Sequence, residues 1–361
     1  MAGGGADGPD KLTGHPSSRD ATLDLLRSAS IMSVILFHVL HGIMRFAPQE
    51  DIPLIISRIP MWMNFSWQPL GVDVIFVVSA YLLTLHLLQE LRDVGTIDLK
   101  SYYIRRVSRI VPLYYLAIVI FALAQGDDLG DVALAFLFLE FLLTGSAIVP
   151  VGWSMELMML VYIALPAVAW GLYHARRPFL WLGLAVAGSI AIRIIPLWGE
   201  PTVAMTLFTH LLERDGVMPQ ANALYFAPWF RVTPFLVGAG IAGLIVLKPQ
   251  FCAAVSGTTA RRMGLNGCAA VLLVFSIFLP VHDASSFIYT ITGPVFWTLY
   301  WTLCIGLFSL GTMLIILASQ GQRTRFPGPW TMISRNIMGI YLFHMPMIVV
   351  GAIMVFQTDD P

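Results

Sequence analysis

Apolar stretches about as long as a bilayer is thick recur along this 361-residue chain, and they leave it very few architectures. A helix needs about 20 predominantly apolar residues to cross the hydrocarbon core. Runs of that kind lie near 22–46, 70–91, 109–124, 153–173, 179–198, 228–247, 264–281, 294–318 and 334–356. Backbone amides inside a bilayer have no water to bond, so each run is expected to be helical. A further stretch, 131–145, is shorter and carries Glu140, which makes it either a short span or a re-entrant segment. The expected fold is therefore all-α: a polytopic integral membrane protein of about ten transmembrane helices, nine to eleven, with no separate soluble domain. Residues 1–20 are rich in Gly, Pro, Ser and Asp and lack the apolar core of a signal peptide, so they read as a flexible cytoplasmic tail. Residues 21–356 form the transmembrane domain and 357–361 a short C-terminal tail, while the connection at about 199–227 has room for one short helix.

Composition supports this reading. Residues AVILMFWYC make up 57% of the chain and DEKR only 12%, where an ordinary soluble domain carries roughly 25% charged residues. The 21 Lys and Arg cancel the 21 Asp and Glu, so no net field gathers nucleic acid, and none is expected as a partner. Cys252, Cys268 and Cys304 are odd in number and widely spaced, which suits neither a disulfide framework nor a zinc site, and no His/Asp/Glu cluster has metal-ligand spacing. Basic residues mark the cytoplasmic side. Arg92, Lys100, Arg105, Arg106 and Arg109 crowd the second connection and place it, with the N-terminus, in the cytoplasm of a cell with the protein in its inner or plasma membrane. Later basic groups are Arg176 and Arg177; Lys248, Arg261 and Arg262; and Arg323, Arg325 and Arg335, whereas Arg58 and Arg214 lie in the loops between. Keeping every basic loop inside makes 131–145 re-entrant and sends the C-terminus outside; ten full spans return both termini to the cytoplasm. Both arrangements stand at this level. Trp62, Trp67, Trp153, Trp198, Trp229, Trp297 and Trp301 fall mostly near span ends, as an interfacial belt does.

Ionisable residues inside spans are expensive and are functional candidates by default. The first run, LDLLRSASIMSVILFHVLHG, has the densest set. Arg27 and His38 are eleven residues apart, which at ~100° and ~1.5 Å per residue puts them on nearly one face and ~16 Å apart along the axis. Asp24 lies one turn before Arg27 on a similar face. Two readings stand side by side: a polar path entering the protein, or a snorkelling Arg27 with a His38 that bonds a nearby carbonyl. His41 and His86 read as interfacial.

Further motifs bear on that choice. They are GVDVIFVVSAYLL (71–83), RRVSRIVPLYY (105–115), WSMELMMLVYIALP (153–166), RVTPFLVGAG (231–240) and SRNIMGIYLFHMP (334–346). In this order, and with the Arg, ten residues, His spacing of Arg27 and His38, they resemble the acyltransferase-3 family of polytopic membrane O-acyltransferases. The resemblance covers about residues 22–350. Two departures stand out: Ser79-Ala80 where the family commonly has Ser-Gly, and Met158 and Met159 where it often has carboxylates, with Glu156 three residues after Trp153 instead.

The resemblance implies an enzyme that moves an acyl group, usually acetyl, from cytoplasmic acyl-CoA to a hydroxyl on a carbohydrate, glycolipid or exported small molecule. Acyl-CoA then serves as donor substrate, with no permanently bound cofactor. An alcohol becomes a good nucleophile once a base takes its proton, and neutral imidazole suits that work near pH 7. His38 is accordingly the candidate base or transient acyl carrier, with Asp73 and Glu156 as further catalytic candidates. Guanidinium groups match the phosphates of coenzyme A, so Arg27, Arg105, Arg106 and Arg109 are the donor-binding candidates, although the last three also suit a basic loop required by topology alone. Asp24, Trp153 and His344 are candidates for acceptor binding, and His344 reads equally as a satisfied core residue. The chain's end soon after the last run leads to the expectation that no extracytoplasmic hydrolase-like domain follows. The rival reading is a polytopic transporter of a small anionic or acylated substrate, since such residues also line transport paths. The oligomeric state is not encoded in any motif.

Overall fold

A computed structural model describes residues 21–48, 50–58, 70–199, 226–278, 287–322 and 328–356. The two tails, Trp62, Trp67, Arg214, Arg323, Arg325 and the expected helix within 199–227 lie outside the described residues. Every regular element described is helical. In chain order the helices are α1 (Ala21–Phe46), α2 (Ile52–Arg58), α3 (Gly71–Val94), α4 (Leu99–Gln125), α5 (Leu129–Phe136), α6 (Glu140–Thr144), α7 (Gly152–His174), α8 (Pro178–Ala191), α9 (Ile194–Gly199), α10 (Pro228–Arg231), α11 (Thr233–Leu247), α12 (Pro249–Ser256), α13 (Thr259–Phe278), α14 (Phe287–Ser319), α15 (Gly328–Arg335) and α16 (Ile337–Phe356).

Among the described residues seven helices are long and apolar enough to cross a membrane, or eight if α11 and α12, bent by 100°, count as one span. The expected count of about ten is not confirmed among the described residues, where two of the expected stretches break. The stretch 179–198 breaks after the 14 residues of α8, where buried Arg193 donates from Nη1 to Phe230 O at 3.1 Å. The stretch 131–145 breaks at Phe138, a non-glycine residue held at φ 59°. Its two pieces, α5 and α6, have 8 and 5 residues, and at ~1.5 Å per residue neither approaches the ~30 Å of a hydrocarbon core. The stretch 131–145 is thus two short helices and not one continuous helix.

The basic segment also changes character. Only Gly95–Asp98 connects α3 to α4. Gly95 ends α3 in the left-handed conformation at φ 83°, and Asp98 caps α4 by accepting from Ser101 N at 3.0 Å. Arg105, Arg106 and Arg109 therefore project from the early turns of a 27-residue helix rather than from a loop.

Two contacts set the arrangement around the site. Helix α11 lies hard against α3: a Cβ on Gly238 would collide with Val77 O and come within 2.9 Å of Ala80 Cβ, so only glycine permits this approach. Ala80, the residue in place of the family's usual Gly, is itself fully buried there. Helix α1 pairs with α15 and α16. Asp24 accepts from Ser334 Oγ at 2.6 Å, His38 meets His344, and a Cβ on Gly42 would stand 2.9 Å from Ile348. Residue numbers rise together along this seam, so α1 and α16 run parallel, and Phe356 lies at the opposite end of the bundle from Ala21.

Candidate active site

Three groups of polar residues stand out among the described residues of the core. The first lies on the α1–α16 seam. His344 Nδ1 is 2.7 Å from Tyr341 O, and because a carbonyl can only accept, that nitrogen carries the proton. His344 Nε2 is then an acceptor, 3.1 Å from His38 Nδ1. His38 Nδ1 also lies 2.9 Å from Val34 O, so its N–H is shared between the carbonyl and His344. Both imidazoles are satisfied in the neutral form. The lone pair of His38 is thereby left on Nε2, the nitrogen that has to take a proton in general-base work. The two readings of His38 merge here: Nδ1 bonds a carbonyl, and that bond orients Nε2. Phe37 closes on the ring edge-on at 5.1 Å. His41, expected at the interface, has a buried Nδ1 with no partner among the described residues.

The second group is a cavity of about 240 Å³ lined by Arg27, Arg106, Arg109 and His86 together with the hydroxyl residues Ser79, Ser154, Tyr162 and Tyr341. Arg106 and Arg109 are three residues apart and share a helix face; Arg105 points elsewhere, is exposed and does not line the cavity. Arg106 keeps a buried Nε–H with no acceptor among the described residues, the kind of vacancy that an anionic ligand fills. The cavity reaches inward to Tyr341, whose hydroxyl is 2.8 Å from Ser154 Oγ. Tyr341 lies three residues before His344 on α16, and neither His38 nor His344 is among the residues that line this cavity.

The third group is an ion pair. Arg231 Nη1 donates to Asp73 Oδ2 at 2.7 Å and Oδ1 at 2.9 Å, and both side chains are 0% exposed. Arg231 also lies over the ring of Trp153, 5.7 Å from its centroid, and Trp153 packs edge-on against Phe76 and Phe226. Asp73 and Trp153 therefore meet Arg231, while Asp24 lies between α1 and α15. Glu156 accepts from the backbone N–H of Phe141 at 3.0 Å and of Leu142 at 3.4 Å, tying α6 to α7. Nearby Glu140 accepts from Ile148 N at 2.8 Å. Burial, reinforced by the neighbouring Glu156 charge and opposed by that hydrogen bond, pushes its carboxyl up to about 7.

Sequence reasoning paired Arg27 with His38 through helical periodicity. It missed the His38–His344 contact, spanning 306 positions, and the Asp73–Arg231 pair, spanning 158. The available signal for the second was an Arg opening the motif RVTPFLVGAG. The cavity hydroxyls carry no such signal, because Ser and Tyr are ordinary residues in apolar helices.

A many-helix membrane bundle with an imidazole pair behind an arginine-lined cavity suits an enzyme of group transfer, and similarity to known proteins specifies which. The family model for the acyltransferase domain matches residues 20–358. The chain belongs to this acyltransferase-3 family and is an O-acetyltransferase-like, multi-pass membrane enzyme. It is 25% identical over 365 aligned residues to "Putative acetyltransferase ORF330" of Acidianus two-tailed virus, covering 97% of this chain and 92% of the viral protein. Shorter matches are to "Putative O-acetyltransferase SACOL0978" of Staphylococcus aureus strain COL, 34% identical over 90 residues, and to the peptidoglycan O-acetyltransferase OatA of Listeria monocytogenes, 39% over 69. These cover 25% and 18% of this chain but only 11% of each bacterial protein. No solved structure matches.

Proposed function

We propose that this chain transfers an acetyl group from acetyl-CoA, held at the Arg27, Arg106 and Arg109 cavity, to a hydroxyl presented at His38 and His344. The observation that carries the reading is the hydrogen-bond arrangement that keeps both imidazoles neutral and leaves His38 Nε2 as acceptor. In the transfer, Nε2 takes the hydroxyl proton as the oxygen attacks the thioester carbonyl. The tetrahedral intermediate collapses with cleavage of the C–S bond, and the departing coenzyme A sulfur receives the proton back from the imidazolium. His344 Nε2 accepts from His38 Nδ1–H throughout and steadies the positive ring. Asp73 acts through Arg231, and Glu156 through α6, as positioning residues. The acceptor class is a carbohydrate, glycolipid or exported small molecule. In orientation, the cavity end of α1, α4 and α16 faces the cytoplasm of an inner or plasma membrane, where acyl-CoA is made, and Phe356 faces away.

Membranes holding the protein, incubated with acetyl-CoA labelled in the acetyl group, are expected to transfer label to a glycan or small molecule while releasing free coenzyme A thiol. Label that stays on acetyl-CoA, or crosses the membrane without change, supports transport instead. A single Cys at position 100 should resist an impermeant thiol reagent in intact cells and react after permeabilisation; ready labelling in intact cells inverts the orientation.

A further inference from the structure

The arginine cavity has two chemically different ends. Along α7 it is lined by Ser154, Met155, Met158 and Tyr162, and the eight residues from first to last span ~12 Å of helix. Helix α4 runs antiparallel beside it: Tyr102 Oη donates to Tyr162 O at 3.0 Å, and at the other end a Cβ on Gly152 would stand 3.0 Å from the Tyr114 hydroxyl. Helical side chains lean toward their own N-terminus, so Arg106 and Arg109 turn their guanidinium groups toward the Tyr162 end. Ser154 and Tyr341 stand at the opposite end, with apolar Ile110, Met155 and Met158 between. An acyl-CoA has its parts in the same order: anionic phosphates, an uncharged arm, then the thioester. With the phosphates at the arginines, the thioester arrives at Ser154 and Tyr341.

The hydrogen bonds there decide which hydroxyl has a proton to offer. Ser154 Oγ lies 2.8 Å from Val151 O, and a carbonyl only accepts, so the serine proton goes to the backbone. Tyr341 therefore donates to Ser154 Oγ, at 2.8 Å. That bond is exchangeable, because Ser154 keeps its own proton bonded when Tyr341 turns away. Tyr341 also joins this end of the cavity to the imidazole pair: its carbonyl accepts from His344 Nδ1 at 2.7 Å, and the two ring centroids are 5.8 Å apart. We propose that Tyr341 is the oxyanion donor of the transfer, its O–H swinging from Ser154 Oγ to the thioester oxygen. As the acceptor oxygen bonds to the carbonyl carbon, the C=O π pair moves onto the thioester oxygen, and Tyr341 stabilises that charge by a hydrogen bond while keeping its proton. Collapse restores the C=O and breaks the C–S bond, and Tyr341 returns to Ser154; the acceptor's proton passes to His38 Nε2 and then to the departing sulfur. This rests on the reading of the cavity as the acetyl-CoA site and of His38 as the base.

The test has two measurements. The first is release of coenzyme A thiol from acetyl-CoA by membranes holding the full chain. Tyr341→Phe keeps the ring and the carbonyl that holds His344, and should lower kcat by about 10²- to 10³-fold, the loss of one oxyanion donor, with KM little changed. Ser154→Ala removes the resting partner, so the thioester meets no competitor for the phenol proton and KM for acetyl-CoA should fall by about threefold, near the low end of a neutral hydrogen bond's worth. A pair that merely fastens α7 to α16 gives equal losses of rate in both variants, which overturns the proposal. The second measurement needs no turnover. In His38→Gln, acetyl-CoA labelled with carbon-13 at the thioester carbonyl is expected to bind with its C=O stretch shifted to lower frequency, and adding Tyr341→Phe should abolish the shift. Replacing Tyr341 by 3-fluorotyrosine, a stronger donor of nearly the same shape, should enlarge it and serves where Tyr341→Phe fails to fold. Acetyl-CoA retained with no shift, or with a shift that neither change at Tyr341 alters, overturns the proposal. Acetyl-CoA that is not retained overturns the donor reading instead, and undiminished transfer by His38→Gln condemns the base alone.

Discussion

Two of the buried polar centres among the described residues, Asp73 with Arg231 and His38 with His344, differ in what they can do. At Asp73 and Arg231 a carboxylate and a guanidinium neutralise each other, fully enclosed, with Trp153 against the cation. At His38 and His344 two neutral rings share a hydrogen bond, each also anchored to a carbonyl of its own helix. An ion pair in hydrocarbon is fixed by the cost of separating it. A neutral imidazole pair is satisfied at rest and still keeps a lone pair for a proton. The first centre is a fastening and the second a working part, although both consist of ionisable residues at membrane depth.

The largest expected effect tests the fastening. Arg231→Ala leaves Asp73 charged and buried, a loss of about 3–5 kcal/mol for a broken buried pair. The variant should be recovered in low yield and aggregate early on heating in detergent. The double change Asp73→Leu with Arg231→Met removes both charges and should recover much of the folded yield. If Arg231→Ala folds normally and only loses activity, the contrast between the centres collapses.

A smaller effect concerns the donor cavity. Arg's planar fork matches phosphate and Lys does not reproduce it, so Arg27→Lys or Arg106→Lys should raise the KM for acetyl-CoA by about tenfold, one charge-assisted hydrogen bond's worth. Arg105→Lys, outside the cavity, should leave KM unchanged. Equal effects at all three positions would return the group to topology alone.

The smallest effect lies at α6. Glu140 is lifted from its ordinary 4.5 to about 7 by burial, so the folded segment binds the proton more tightly than an unfolded one does. Its stabilising contribution is full below pH about 4.5 and is lost as pH rises through about 7. Hydrogen exchange of residues 129–148 should therefore quicken as pH rises from 4.5 to about 7, beyond the intrinsic pH trend, and Glu140→Gln should flatten that excess. An unchanged excess in the Gln variant would remove Glu140 from the account.

How far these features were legible in the sequence depends on the distance over which each is determined. Helix α1 was expected at 22–46 and is found at Ala21–Phe46, because apolar length alone dictates it. The start of α4 was missed by ten residues, since hydropathy sees only the apolar part of a helix whose first turns carry arginines, themselves good helix formers. The breaks at Arg193 and Phe138 come from tertiary contacts and a left-handed backbone, which no apolar count registers. In the site, Arg27 and His38 share one helix and were aligned by periodicity. His344 was noticed only as a lone ring on an apolar helix, because its partner lies at the other end of the chain.

The central claim is that His38 acts by taking a proton and not by holding the bundle together. The measurement is the acetyl-transfer rate of His38→Gln against the unaltered protein, in membranes containing equal amounts of folded chain. Glutamine retains size and hydrogen bonding but has no basic nitrogen, so the rate should fall by ~10²-fold or more, as for loss of a general base, with the KM for acetyl-CoA little changed. A His38→Gln protein that turns over near the original rate would contradict the account, because the hydrogen bond alone would then suffice.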